Sequence, residues 1–266
     1  MRLATWNVNS IRARKDRVLA WLERSDVDVL AMQETKCKDE QFPEDAFREL
    51  GYEVAHHGLS QWNGVAVASR VGIEDVRLGF DDMPGFHKDP EVSQDPEARA
   101  ISAVCDGVRV YSLYVPNGRE LGDPHYTYKL EWLARLRDHA AAELAADSDA
   151  QIALVGDWNV APLDEDVWDP EVFEGKTHTS GPERLAFAAF DGAGFREVTR
   201  EHTPGPGVYT YWDYTGLSFP KRKGMRIDFQ LHSPALAARV TGASIDREER
   251  KGKGASDHAP VVVDLD

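Results

Sequence analysis

The segment "VGDWNVAP", residues 155–162, sets Asp157 and Asn159 two positions apart at the end of the apolar run "QIAL". In an extended chain such residues share a face while the one between them turns away. A carboxylate and a carboxamide would then project together. The pair could do chemistry, or it could shape a turn, since both residue types favour turns. The same kind of polar residue recurs where other apolar runs end. Asn7 follows "LATW", Glu34 follows "DVLAMQ", Asp228 interrupts "MRIDFQL", and Asp257-His258 precede "APVVVDL". Each also has an ordinary structural use. Asn7 and Asp257 suit turns, and Glu34 suits a surface. Asp228 suits a solvent-facing strand position or a buried one with a partner, and His258 suits a satisfied imidazole. If these strand ends converge, they bring together four carboxylates, two amides and a histidine. Such a cluster repels itself without a cation. An oxygen-rich set suits Mg²⁺ or Mn²⁺, and no Cys/His set in the chain suits zinc.

The elements that would position these residues can be read from periodicity. Short strands are predicted at "RLATWNV", "DVLAMQE", "GVAVAS", "RAISAVCDGVRVYSLYV", "QIALVGDWNV", "RIDFQLHS" and "APVVVDL". Asp106-Gly107, between two alternating segments, predicts a hairpin. Helical periodicity predicts helices in "RKDRVLAWLER", "YKLEWLARLRDHAAAEL" and "GPERLAFAAFDGAG". Hairpins mixed with helices predict a mostly antiparallel α/β architecture. The long irregular stretches at residues 81–97, 117–125, 168–181 and 214–224 are of a length that is usually functional or disordered. The tripeptide "WNV" occurs at 6–8 and again at 158–160, each time at a strand end. Two related halves packed face to face would produce that echo.

Composition narrows the class. The chain has 266 residues, 42% of them hydrophobic, enough for a substantial core in one domain covering residues 1–266. No apolar run is long enough to span a bilayer, and "MRLATWNV" lacks the features of a signal peptide. Cys37 and Cys105 form neither a disulfide framework nor a metal knuckle, which fits a reducing cytoplasm. The net charge of −15 argues against nucleic-acid binding through bulk positive charge. It leaves room for a local basic rim and a divalent cation.

Six motifs, "TWNVNSIRAR", "QETKC", "YVPNG", "GDWNVAP", "RIDFQL" and "SDHAPV", occur in the order and approximate spacing found in the exonuclease III family of abasic-site endonucleases. The chain resembles that family from end to end. The resemblance implies a four-layer α/β sandwich of two packed, mostly antiparallel sheets flanked by helices, with the site at one rim. It implies Glu34 as the principal Mg²⁺ ligand with Asn7 close by, and Asp257 as a nearby or metal-linked acid. Asp157 resembles the residue that orients or deprotonates water, and Asn159 the amide that holds a phosphate oxygen. His258 resembles the imidazole at the scissile phosphate, with Asp228 as its partner. Tyr114 and Asn117 match contacts to the phosphate or leaving group, and Lys36 a residue that ties Glu34 in place. Phosphodiester hydrolysis needs an in-line water, charge stabilisation at the phosphoryl oxygens and help for the leaving oxygen. These residue types can supply those functions.

Substrate choice is expected in the loops. "VYTYWDYTGLSFPKRKGMRIDF" combines aromatics with Lys221, Arg222, Lys223 and Arg226, which suits gripping of duplex phosphates. By the same resemblance Tyr211, Met225 and Ile227 would wall a pocket for a base-less sugar, with Trp212 beside it. Arg12, Arg14, Lys15 and Arg17 could touch phosphates or form the solvated face of a helix, and "REERKGKG" is a second basic loop. Two positions depart from some family members: Asn9 replaces an acid near the metal, and Met225 replaces a larger aromatic. The expected activity is incision 5′ of abasic sites in duplex DNA with 3′ trimming, by a cytoplasmic monomer that does not engage membranes. The alternatives are a phosphatase or RNA nuclease with the same core, and a non-catalytic DNA-binding relative.

Overall fold

The computed structural model describes residues 1–266, and its apolar runs form two six-stranded sheets. In chain order the elements are β1 (Arg2–Asn7), α1 (Ile11–Ser25), β2 (Val29–Gln33), α2 (Glu44–Glu49), β3 (Glu53–His57), β4 (Val65–Ser69), β5 (Glu74–Leu78), β6 (Ala100–Cys105), β7 (Val108–Tyr114), α3 (Pro124–Ala146), β8 (Ile152–Asp157), α4 (Gly181–Gly192), β9 (Arg196–Glu197), β10 (Asp228–His232), α5 (Pro234–Ala237), β11 (Val240–Ile245) and β12 (Val261–Leu265). One sheet runs β11-β12-β1-β2-β4-β3 and the other β5-β6-β7-β8-β10-β9. Their inner faces meet through Leu3, Val29, Val67 and Val263 on one side and Ile101, Val110 and Val155 on the other. Helices α1 and α2 cover one outer face with Val18, Trp21, Leu22 and Phe47. Helices α3 and α4 cover the other with Trp132, Leu133, Phe187 and Phe190. This is the expected four-layer sandwich.

Local chemistry explains the main boundaries. Asp123 caps α3 by accepting from the His125 N–H, with Pro124 at the first helical position. Ser180 and Glu183 form a reciprocal capping box at the start of α4. The Asp106-Gly107 turn has φ of 48° and 77°, and Cys105 pairs with Val108 across it. Two positive-φ residues are what a two-residue hairpin between twisted strands requires. Sequence periodicity did not anticipate β3, β5, β9 and β11. Strand β5 is exposed at every position and β9 is two residues long, so neither carries an apolar alternation.

The topology brings the polar strand ends to one rim. Each sheet contains one parallel pair, β1 with β2 and β7 with β8. Their C-terminal ends present Asn7, Glu34, Tyr114 and Asp157. The antiparallel neighbours begin where these strands finish. Asp228, first in β10, pairs directly with Asp157, and His258 precedes β12, whose Val261 pairs with Thr5. The repeated "WNV" has matching roles in the two sheets. The Trp6 indole donates to the His258 carbonyl at 3.1 Å, and the Trp158 indole to the Phe229 carbonyl at 3.2 Å. Both rings are buried, and each ties its strand to the neighbouring segment of its own sheet.

Gly156 permits the close approach that sets this rim. Its φ is +152°, and a Cβ there would lie 1.9 Å from the Leu113 carbonyl oxygen across the β7–β8 pair. Gly156→Ala is expected to lower stability by about 3 kcal/mol, at the upper end of ordinary overpacking. Urea denaturation checks this, and an unchanged midpoint would show that the two strands separate freely there.

Candidate active site

His258 and Asp228 form the centre of the cluster. The His258 Nδ1 lies 2.8 Å from Asp228 Oδ2, and because an ionised carboxylate can only accept, Nδ1 carries the proton. The opposite nitrogen, Nε2, faces Asp157 Oδ2 at 3.8 Å. The Asn7 side-chain amide donates to Glu34 Oε1 at 2.8 Å and to Asp157 Oδ2 at 2.9 Å, which joins the two sheets. Lys36 Nζ lies 2.6 Å from Glu34 Oε2 and donates to Asn9 Oδ1 at 2.6 Å. Asn9 in turn donates to Asp257 Oδ1 at 2.9 Å. The Tyr211 ring packs 4.9 Å from the imidazole, and the Arg99 guanidinium sits 4.8 Å over Tyr114.

Much of this geometry is held in strained backbone. Asn9, Glu34, Lys36, Asn159 and His178 all have positive φ, between 43° and 75°. Left-handed non-glycine residues cost of order 1–3 kcal/mol each and cluster where function requires them.

The electrostatics differ among the carboxylates. Burial pushes the Asp157 carboxyl up to about 7; nearby Asp228 and Glu34 add to the rise, and His258 opposes it. Burial would discharge His258, but Asp228 and Asp157 outweigh it and raise the imidazole to about 10. Burial would also raise Glu34, yet Lys36 and the Asn7 amide hold it below the ordinary carboxylate range. The cluster therefore favours a charged imidazole and an ionised Glu34, and raises Asp157 above the ordinary carboxylate range.

A divalent cation fits this donor set. Ligand atoms of Glu34, Asp157 and His258 lie within 4.8 Å of one another. Glu34, held ionised by Lys36 and the Asn7 amide, is the residue that would hold the ion, with Asp157 beside it, and oxygen donors of this kind suit Mg²⁺ or Mn²⁺. Asn7 and Asp257, expected among the ligands, are engaged otherwise. Asn7 turns its NH₂ to the two carboxylates and accepts the Asn9 N–H at its Oδ1 (3.0 Å). Asp257 accepts from Asn9 and Ser256 and lies outside the three-residue cluster.

Beside the carboxylates lies an amide-rich arm. Asn159 Oδ1 is 3.3 Å from the Asn117 amide nitrogen and 3.1 Å from His178 Nε2. Its own Nδ2 donates to the Val115 carbonyl at 2.9 Å, and its backbone N–H to Asp157 Oδ1 at 3.0 Å. The sequence reading did not single out His178. A lone histidine in "KTHTSG" carries no spacing signal, and only the capping box that follows it hinted that this loop is fixed.

The basic and aromatic loop is partly as expected. Lys221 and Arg222 are exposed, and Lys223 Nζ sits 4.0 Å over the Trp168 ring. Arg226 is not a phosphate contact. It is fully buried and donates to the Thr203 carbonyl and to the hydroxyls of Thr199 and Thr203, each at 2.8 Å. The chain enters the core at Gly224, so the last basic residue of the run points inward. Trp212 does not line a sugar pocket either. It is buried against Phe219 and Tyr209, opposite in alternation to Tyr211. Met225 and Ile227 form a small apolar cluster with Ala161 and Val167, against which Tyr211 packs. Among the other basic residues, Arg14 binds the Asn9 carbonyl and the Tyr214 hydroxyl, and Arg17 binds the Glu249 carbonyl. Arg250 of the second basic loop holds the Trp212 carbonyl at 3.0 Å.

Comparison with known proteins places this rim in context. The Endonuclease/Exonuclease/phosphatase family matches residues 4–258. An exodeoxyribonuclease of Bacillus subtilis (strain 168) is 32% identical over 269 residues, which cover 99% of this chain and 98% of the relative. The structure of a 3′ phosphatase from Neisseria bound to product DNA hairpin superimposes with a TM-score of 0.92 at 36% identity, covering 100% of this chain and 99% of the other. An AP endonuclease from Archaeoglobus fulgidus gives 0.91 at 36% identity, with the same coverage.

Proposed function

The chain belongs to the endonuclease/exonuclease/phosphatase family, and from that premise we propose a DNA-repair nuclease that cuts 5′ of abasic sites in duplex DNA and trims blocked 3′ ends. The observation that carries the proposal is the convergence of Glu34, Asp157 and the Asp228–His258 pair at one rim, with Asn159 and Asn117 beside them. Asp157, buried and raised above the ordinary carboxylate range, orients the attacking water and takes its proton. His258, kept charged by Asp228, faces the phosphoryl oxygens and stabilises the charge that grows there. Asn159 and Asn117 hold the phosphate in line for attack. Tyr114, its hydroxyl close to Glu34, lies at the same rim and would contact the phosphate or leaving oxygen. Glu34 would hold a divalent cation, Mg²⁺ in this reading, which would supply Lewis-acid charge neutralisation at the phosphate.

Duplex DNA is the partner in this reading, met by Lys221, Arg222 and Lys223 on an otherwise acidic chain. No helix is long and apolar enough to cross a membrane. The two buried free cysteines suit the cytoplasm, and we take the working unit to be one chain.

A second reading, in which 3′ ends are the main substrate, is supported by the burial of Trp212, Met225 and Ile227, which leaves Tyr211 as the accessible wall of the sugar pocket. One experiment separates the two. Three duplexes are compared: one with an internal abasic analogue, one nicked with a 3′-phosphate, and one intact. Both damaged duplexes are expected to react at least about tenfold faster than the intact one, roughly 1.4 kcal/mol of selectivity. Reaction of the 3′-phosphate alone would establish the second reading. Faster release of phosphate from a small phosphomonoester than from any DNA would overturn both.

A further inference from the structure

Away from the reacting groups, α3 and α4 are joined by an ion pair with no exposure to solvent. Lys129 and Glu183 side chains are both 0% exposed and in direct contact. Burying two charges is costly unless every remaining donor and acceptor is satisfied, and here they are satisfied by the loops of the site. Lys129 Nζ donates to the backbone carbonyls of Asn159, at 2.6 Å, and Asn117, at 3.1 Å. Glu183 Oε1 accepts from the Thr177 hydroxyl at 2.7 Å and from the His178 backbone N–H at 2.9 Å. Its Oε2 accepts from the Ser180 hydroxyl at 2.6 Å. Gly118 makes room for the pair, because a Cβ there would lie 2.7 Å from the Thr177 hydroxyl and 3.0 Å from the Lys129 chain.

Three loops that are distant in sequence thus end on one ion pair, and each carries a side chain of the amide arm: Asn117, Asn159 and His178. We infer that Lys129 and Glu183 are positioning residues, a buried strut that fixes the phosphate-holding arm as one rigid unit. Packing alone between α3 and α4 would not require it, since apolar residues of similar volume hold helices together as well or better. What an apolar pair cannot do is grip two carbonyls, a hydroxyl and an N–H from separate loops. A shift of about 1 Å in such an arm costs on the order of 100-fold in rate.

This inference rests on the nuclease reading for its consequence, while the strut can be tested without it. Lys129→Met leaves Glu183 buried without a partner and endangers the fold, so the double variant Lys129→Met/Glu183→Gln is the main probe. Hydrogen exchange is expected to show at least tenfold faster exchange at the Gly118, Ala161 and His178 amides of the double variant, with the β7–β8 ladder unchanged. Turnover of the 3′-phosphate duplex is expected to fall about 100-fold in kcat with KM moved less than about threefold. In an Asn159→Ala background the same double substitution should cost less than about threefold more. Unchanged exchange at those amides overturns the strut. Changed exchange with wild-type kcat, or with a loss that adds fully to that of Asn159→Ala, overturns its catalytic role. A wild-type protein inactive on every DNA would defeat the nuclease reading, and the exchange result would still decide the strut.

Discussion

Asp228→Asn and His258→Asn are each expected to lower kcat about 1,000-fold, roughly 4 kcal/mol, and the double variant is expected to lose little more. The two residues share a single hydrogen bond of 2.8 Å, and both are buried. Asp228 fixes the proton on Nδ1 and keeps the imidazole charged, so that Nε2 presents a donor toward the reacting phosphate. An asparagine in its place can still accept the Nδ1 proton through its amide oxygen, but it removes the charge that opposes discharge by burial. The imidazole that remains is neutral, with its proton on Nδ1, and Nε2 no longer presents a donor. Deleting it next has little left to remove, and this is the signature of groups that act as one unit. Single-turnover rates for the four proteins of the cycle give the coupling directly. Losses that multiply to about a millionfold would mean that Asp228 and His258 serve separate functions.

The second large effect is expected at Glu34. Glu34→Gln keeps the shape and the Asn7 and Lys36 neighbours but removes the carboxylate that would hold a cation. The half-saturating Mg²⁺ concentration should rise at least about tenfold, a loss of roughly 1.4 kcal/mol in affinity, and the rate at saturating metal should fall as well. Binding followed by Mn²⁺ paramagnetic resonance gives the affinity independently of activity. An unchanged binding curve would exclude Glu34 from the ion's coordination.

The sequence was most informative where backbone rules are strict. The Asp106-Gly107 hairpin follows from a turn that needs two positive φ angles, and the buried strands follow from apolar runs bounded by polar residues. The polar residues at the ends of those runs could be named individually, but their convergence was visible only through the family resemblance, because it depends on where the two parallel pairs fall within the sheets. Arg226 was misread for a related reason. In "PKRKGMR" four basic residues look alike, and nothing local marks Gly224 as the point where the chain turns inward. Trp212 was misread because its neighbour Tyr211 takes the outward face of the alternation. His178 and the Lys129–Glu183 pair were missed because they act through tertiary contacts between loops, and a lone histidine or a lysine in an amphipathic helix gives no sign of that. Strand β5 was missed because both of its faces meet solvent.

The segment from Tyr211 to Arg226 is clamped at its root and free at its tip. Tyr211 bridges to Met225 and to His258, the Trp212 backbone N–H donates to the Asp257 carbonyl at 2.9 Å, and Arg226 is locked to Thr199 and Thr203. Between these anchors Leu217, Lys221 and Arg222 stand out in solvent. Selection acting on such a segment meets two very different tolerances. Substitutions at the root disturb the core and the orientation of His258 together, whereas those at the tip alter only what the protein touches. Lineages sharing this scaffold are therefore free to diversify in substrate by drift at a few tip positions, without passing through unstable or inactive ancestors.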